Sequence, residues 1–110
     1  MTRETLSKIP MGYILNTYEE PLKFLYDPRK NEANIEKHGI GFKEAQAIWN
    51  DPDLLKIPAK KSGEKRYLVI GMVQGRCLTA VATDRSGAVR IISARRASEQ
   101  EAKLYGSNNR

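Results

Sequence analysis

The sequence predicts an α+β domain: two N-terminal helices, an antiparallel β-meander of about three to four strands, and a closing C-terminal helix. Three observations predict it. Asp27-Pro28 opens a helical stretch that Gly39 ends, the residue pattern turns to a period of two from Arg66 onward, and Ser98-Glu99-Gln100-Glu101 spells a helix cap directly after the last strand. A chain of 110 residues has the length for one core and not for two.

Residues 1–23 scatter Lys8, Pro10, Gly12, Glu19, Glu20 and Pro21 among a few aliphatics without a period. They read as an N-terminal extension holding at most a short helix or strand, and the domain proper spans 24–110. Residues 22–26 are a short strand candidate. Asp27 then places a side-chain acceptor before Pro28, whose fixed φ suits the first helical position. The helix over 28–38 carries only Ala33 and Ile35 as apolar residues, so it is expected to cover a core edge and expose a basic face of Arg29, Lys30, Lys37 and His38.

A second helix over 42–50 sets Phe42, Ala45, Ile48 and Trp49 on one buried stripe, with Phe42 and Trp49 the strongest core candidates, and Asp51-Pro52 stops it. Residues 54–57 form a further strand candidate, and 59–65 a basic, glycine-containing loop. Strands over 66–73 and 77–83 flank Gln74-Gly75, a two-residue hairpin turn. A turn over 84–87 leads to a third strand over 88–94. In the last helix Ser98 and Glu101 form a capping box that satisfies two otherwise orphan backbone donors. Ser98→Ala is expected to cost about 1 kcal/mol in urea denaturation, the usual scale for a lost N-cap.

With 40% hydrophobic and 29% charged residues the chain suits neither disorder nor a bilayer-spanning segment. Its 19 Lys+Arg against 13 Asp+Glu give a net charge of +6, which favours polyanionic or acidic partners. One cysteine and one histidine allow neither an internal disulfide nor a Cys/His metal set, and no cofactor is expected. Ile9, Met11, Ile14 and Leu15 are interrupted by Pro10 and Gly12, so a secretory signal is not expected and a cytoplasmic location is. Cys77, in an apolar stretch, reads as a buried small hydrophobe.

Arg90, Arg95 and Arg96 bracket the apolar centre of the last strand. Forked guanidinium donors at the end of a rigid element suit phosphate oxygens, while the plainer reading is solvated charge beside a buried strand. Arg90 and Arg95 have opposite parity. In an unbroken strand they face opposite sides, so both reach one site only if the strand ends before Arg95.

The segments Phe24-Leu25-Tyr26-Asp27-Pro28-Arg29-Lys30-Asn31-Glu32-Ala33-Asn34-Ile35-Glu36-Lys37-His38-Gly39, Phe42-Lys43-Glu44-Ala45, Glu64-Lys65-Arg66-Tyr67 before Ile70-Gly71, and Arg90-Ile91-Ile92-Ser93-Ala94-Arg95 with Glu101 and Tyr105 follow one another in order. Together they resemble the BrnT toxins of bacterial toxin–antitoxin systems. The resemblance implies a compact RelE-like fold, a ribonuclease that inhibits translation and growth, and neutralisation by a BrnA-type antitoxin. It further implies operator DNA contacts only through that antitoxin, and a homodimer or 2:2 complex. Two departures stand out: Gly41 occupies a helix start where the family more often has Ser or Thr, and residues 1–23 make a longer extension than usual.

Metal-independent RNA cleavage uses the ribose 2′-hydroxyl as nucleophile, and needs a base, cations for the pentacoordinate transition state and an acid for the leaving oxygen. His38, whose imidazole can trade protons near neutral pH, beside Lys37, or Glu64 on the loop before Arg66, is the candidate base. Arg66 and Arg95 are the candidate catalytic cations. Lys37, Arg90, Arg96 and Tyr105 are candidate RNA and phosphate contacts, Tyr105 by stacking or a hydrogen bond unless it packs in the core with Ala102. The alternatives are a non-catalytic nucleic-acid-binding module and an antitoxin-binding module on the same basic face.

Overall fold

The computed structural model describes residues 22–59 and 65–108. In chain order they form β1 (Phe24–Leu25), α1 (Pro28–His38), α2 (Phe42–Ala45) running into a 3₁₀ helix (Gln46–Asn50), β2 (Leu55–Ala59), β3 (Arg66–Val73), β4 (Arg76–Arg85), β5 (Ala88–Arg96) and α3 (Glu99–Asn108). The strands make one sheet in the order β1-β5-β4-β3-β2. The α+β class, the meander and the closing helix stand as the sequence predicts, and both outer strand candidates join the sheet. Most of the extension over 1–23, and loop residues 60–64 with Glu64, lie outside the described residues.

The local signals explain most of these elements. Asp27 Oδ1 accepts the Arg29 N–H at 2.9 Å, and Gly39 takes the left-handed conformation at φ 74° that ends α1. Gln74-Gly75 and Ser86-Gly87 all have positive φ, the type I′ geometry whose twist matches antiparallel strands, and so β4 runs two residues beyond its expected end. β2, β3, β4 and β5 pair antiparallel. β1 alone pairs parallel, setting Phe24 against Val89.

Two expectations about the helices need correction. The inward face of α1 is polar: Asn34 is its buried residue, while Ala33 is exposed and Ile35 is 46% exposed. The reason lies in the sheet edge. β1 covers β5 only at Val89 and Arg90, and farther along the Asn34 amide takes the place of a neighbouring strand. Its Nδ2 donates to Ala94 O at 2.7 Å and to Ile40 O at 2.8 Å, and its Oδ1 accepts the Ala94 N–H at 3.2 Å.

The second predicted helix changes pitch. After α2 the chain tightens to three residues per turn, which rotates the stripe: Ile48 is fully buried, but Trp49 is only half-buried, its ring set edge-on to Phe24 at 5.2 Å. Phe42 keeps its place in the core with Tyr26 edge-on at 5.6 Å. Gly41 offers no side-chain cap, and Asn31 Oδ1 of α1 accepts the Phe42 N–H at 2.7 Å instead.

Alternate residues of the sheet (Tyr67, Val69 and Val73; Leu78, Ala80 and Ala82; Val89, Ile91 and Ala94) pack with Ile40, Phe42, Ala45 and Ile48. The 3₁₀ helix comes so near β3 that a Cβ on Gly71 would lie 3.1 Å from Ile48 Cγ2. No helix among the described residues is long and apolar enough to cross a membrane.

Candidate functional site

The core helices cover one face of the sheet, and strand alternation turns Arg66, Leu68 and Ile70 of β3, and Thr79, Val81 and Thr83 of β4, to the other. The pairing of β5 with β4 decides which arginines join them. Val81 pairs with Ser93 but Ala82 pairs with Ile91, so Ile92 is an inserted residue, a β-bulge. One extra residue reverses the parity. Arg90 opposite Thr83 and Arg95 opposite Thr79 therefore share the open face, although β5 runs on to Arg96. The expectation that they share a site only if the strand stops early is corrected by this bulge.

Arg90 pairs with Thr83, and the register that sets Tyr67 against Ala82 brings Arg66, the residue before Tyr67 in β3, to the level of Thr83 on its other side. Two strand spacings put the Arg66 and Arg90 backbones about 10 Å apart. Thr83 is buried between them, and its hydroxyl donates to Lys65 O at 2.5 Å. Arg95 stands four residues away along β4, about 13 Å at the usual strand rise.

Around Arg95 the polar groups are tightly matched. Its Nη1 and Nη2 donate to Glu101 Oε1 and Oε2 at 2.7 and 2.9 Å, a two-pronged ion pair. Glu101 Oε1 also accepts from Thr79 Oγ1 at 3.0 Å and from the Ser98 N–H at 2.8 Å. The Glu101 N–H returns a bond to Ser98 Oγ at 3.1 Å, which completes the predicted capping box.

At its other end α3 is held by Tyr105, whose hydroxyl donates to Asp51 Oδ2 at 2.5 Å; Asp51 also accepts the Met72 and Asp53 N–H groups at 2.8 Å each. None of the residues of α3 is itself buried, and side-chain polar contacts fasten the helix to the sheet at both ends. Tyr105 and Ala102 are accordingly not a core pair: Tyr105 is half-buried and Ala102 exposed. Cys77 is half-buried rather than buried, and burial together with the Glu101 and Asp51 carboxylates pushes its thiol up.

These contacts shift the titrating groups. The Arg95 hydrogen bonds pull Glu101 down to about 2 against the opposing effect of burial, with Ser98 and Thr79 assisting. For Asp51, desolvation pushes upward, but the Met72, Tyr105 and Asp53 donors outweigh it and hold the carboxyl below its ordinary value. The bond to Asp51 raises the Tyr105 hydroxyl to about 12. A carboxylate with a depressed folded-state pKa contributes stability above its unfolded value and loses it as pH falls. The α3 anchorage is therefore expected to be intact at neutral pH and to weaken between about pH 4.5 and 2. Amide exchange of α3 followed through an acid titration checks this; anchorage that stays intact to pH 2 would contradict it.

The structure thus brings Arg66, Arg90 and Arg95 to one face, with Tyr105 at the Arg95 end. Arg96 points to the other side of the strand at its exposed end, where its carbonyl accepts from Arg95 Nη1 at 3.3 Å. Lys37 is exposed and His38 half-buried in the last turn of α1, His38 one turn beyond the Asn34 that bonds Ala94, the residue before Arg95. Glu64 lies outside the described residues. Thr79, Thr83 and Asp51 escaped the sequence reading; threonines alternating with Leu78, Ala80 and Ala82 were the trace of a second, polar face.

Residues 26–101 match the model of a protein family described as the ribonuclease toxin BrnT of type II toxin–antitoxin systems. The matched span holds Arg66, Arg90, Arg95 and Glu101 and stops short of Tyr105. Comparison with curated proteins finds no match. With its ordered motifs, α+β fold and a match over more than half its length, this chain belongs to the BrnT family of ribonuclease toxins.

Proposed function

We propose that the chain is the toxin of a type II toxin–antitoxin pair and that it cuts RNA on the open sheet face, without a metal, by 2′-hydroxyl attack on the adjacent phosphorus. The observation that carries this reading is the bulge at Ile92, which gathers Arg90 and Arg95 on the face of Arg66. Preorganised guanidinium groups there would meet the charge that grows on phosphate oxygens in the transition state. His38 or Glu64 acts as the base, Tyr105 and Lys37 extend the RNA contact, and Arg96, which points to the other side of the strand, reaches RNA only around its exposed end.

The proposed domain is 24–110, with 1–23 as an extension, working in the cytoplasm to arrest translation and growth. A BrnA-type antitoxin would cover the basic face with Asp or Glu side chains over Arg66, Arg90 and Arg95, and would bring the complex, as a dimer or 2:2 assembly, to operator DNA. The decisive experiment incubates the full-length protein with RNA in EDTA. Cleavage supports the proposal, and intact RNA at high protein concentration overturns it.

One observation favours a second reading. Arg95 and Tyr105 are both engaged by carboxylates of their own chain, an arrangement that suits binding without chemistry. Such a module would bind RNA with log affinity falling against log salt by about 0.7 per phosphate contact, and would release no cleaved product.

A further inference from the structure

A guanidinium can meet an anion end-on, through Nη1 and Nη2, or along its side, through Nε and one Nη. In Arg95 the end is taken by Glu101. Two opposite consequences are conceivable. In one, Glu101 is an internal stand-in for phosphate that RNA must displace; in the other, it is a fixed support that aims the remaining edge.

The hydrogen bonds decide between them. The Glu101 carboxylate accepts from four donors: both terminal nitrogens of Arg95, the Thr79 hydroxyl and the Ser98 N–H. An entering phosphate oxygen pair would restore the two Arg95 bonds and abandon Thr79 and Ser98. Thr79 is fully buried and has no water to turn to, so expelling the carboxylate leaves a buried hydroxyl without its acceptor. The Arg95 Nε–H, by contrast, has no partner among the described residues. The carboxylate stays, and the side edge is what remains for a ligand.

We infer that Glu101, itself seated on Thr79, is a positioning residue for Arg95: it holds the guanidinium end-on so that the Nε edge meets an RNA phosphate on the open sheet face. This rests on the reading that the open face carries RNA. Arg95 thereby gains a defined orientation before the ligand arrives, which a long, freely rotating side chain lacks.

Glu101→Gln is the appropriate variant, because glutamine still satisfies a capping box while it gives up the two-pronged ion pair. The full-length wild type, Glu101→Gln, Arg95→Gln and the double variant are compared on one single-stranded oligoribonucleotide, by cleavage at saturating RNA in EDTA and by binding across a salt series. Glu101→Gln is expected to slow cleavage about tenfold, which converts to about 1.4 kcal/mol. It should also reduce the salt slope by about 0.7, the value of one phosphate contact on a single strand. Both effects should vanish in the Arg95→Gln background, since Glu101 acts through Arg95.

Faster cleavage or an unchanged slope in Glu101→Gln overturns the inference, as does an equal effect in both backgrounds. If the wild type leaves RNA intact, the ribonuclease reading fails and the slope comparison alone decides the role of Glu101. Circular dichroism checks that α3 persists. Should Glu101→Gln lose it, Thr79→Val, which removes one of the four bonds, carries the same test with a smaller effect in the same direction.

Discussion

Replacing Asn34 with alanine is expected to destabilise the protein by about 3 kcal/mol, more than any single truncation on the outer surface of α1. The side chain makes three hydrogen bonds, two to Ala94 and one to Ile40. Its loss strands two carbonyls and one N–H at a covered sheet edge. Each buried group left unsatisfied costs about 1–3 kcal/mol, and water entering at the edge recovers part of that sum. At about 4–8 °C per kcal/mol for a domain of this size, the melting temperature should fall by about 12–24 °C. Asn34→Asp is expected to be no better, because a carboxylate would face the Ala94 and Ile40 carbonyls as a second acceptor. Ile35→Ala, which a hydrophobicity argument ranks as the graver change, should cost about 1 kcal/mol or less because the side chain is nearly half exposed. Thermal melts of these three variants decide it. An Asn34→Ala protein that melts within a few degrees of the wild type would remove Asn34 as the edge cap.

The second large effect is on activity. Arg90→Ala is expected to lower RNA cleavage about 100-fold, the lower end of the loss for one transition-state charge donor because no bond holds Arg90 in place beforehand, while leaving the melting temperature where it was. Arg90 has no hydrogen bond or ion pair among the described residues, so its removal orphans no partner. Arg95→Ala should lose activity as well, but it also leaves the largely covered Glu101 carboxylate, 13% exposed, without its counter-ion. That variant should melt earlier than Arg90→Ala, with α3 loosened first. The pair thus separates a binding cation from one that also holds the fold. Arg90→Lys keeps the charge without the fork and should fall between wild type and alanine. Undiminished cleavage by Arg90→Ala would remove this residue from the site.

How far the fold is legible in the sequence depends on the range of the signal. Asp27-Pro28 and Gly39, Gln74-Gly75, and Ser98 with Glu101 act within a few residues of themselves, and each sits where the sequence puts it. Errors arise where a distant element intervenes. Trp49 packs against the core only half-buried, because the 3₁₀ helix seats Ile48 against Gly71, and α1 turns its asparagines inward because β1 is too short to cover β5. Asn31 and Asn34, three apart in a helix with few apolar residues, were the visible trace of that inward polar stripe.

The candidate site was legible as residue types and not as an arrangement. The arginines, Tyr105 and the capping glutamate are plain in the chain, and so is the match of their order to the BrnT family. Parity, however, placed Arg90 and Arg95 on opposite faces. The bulge that unites them occurs at Ile92, an ordinary strand residue with no glycine to announce it, and the doubled Ile91-Ile92 is its sole mark in the sequence.

By itself, then, the sequence determined the order of elements, the helix ends, the hairpin turns, the basic character and the family, because caps, turns and alternation are decided by neighbours along the chain. Only the tertiary structure decided which arginines share a face, that Glu101 already holds Arg95, and that Asn34 closes the sheet edge. Those outcomes depend on strand register and on hydrogen bonds between residues as far apart as Asn34 and Ala94, where pairing across the fold outweighs any local preference.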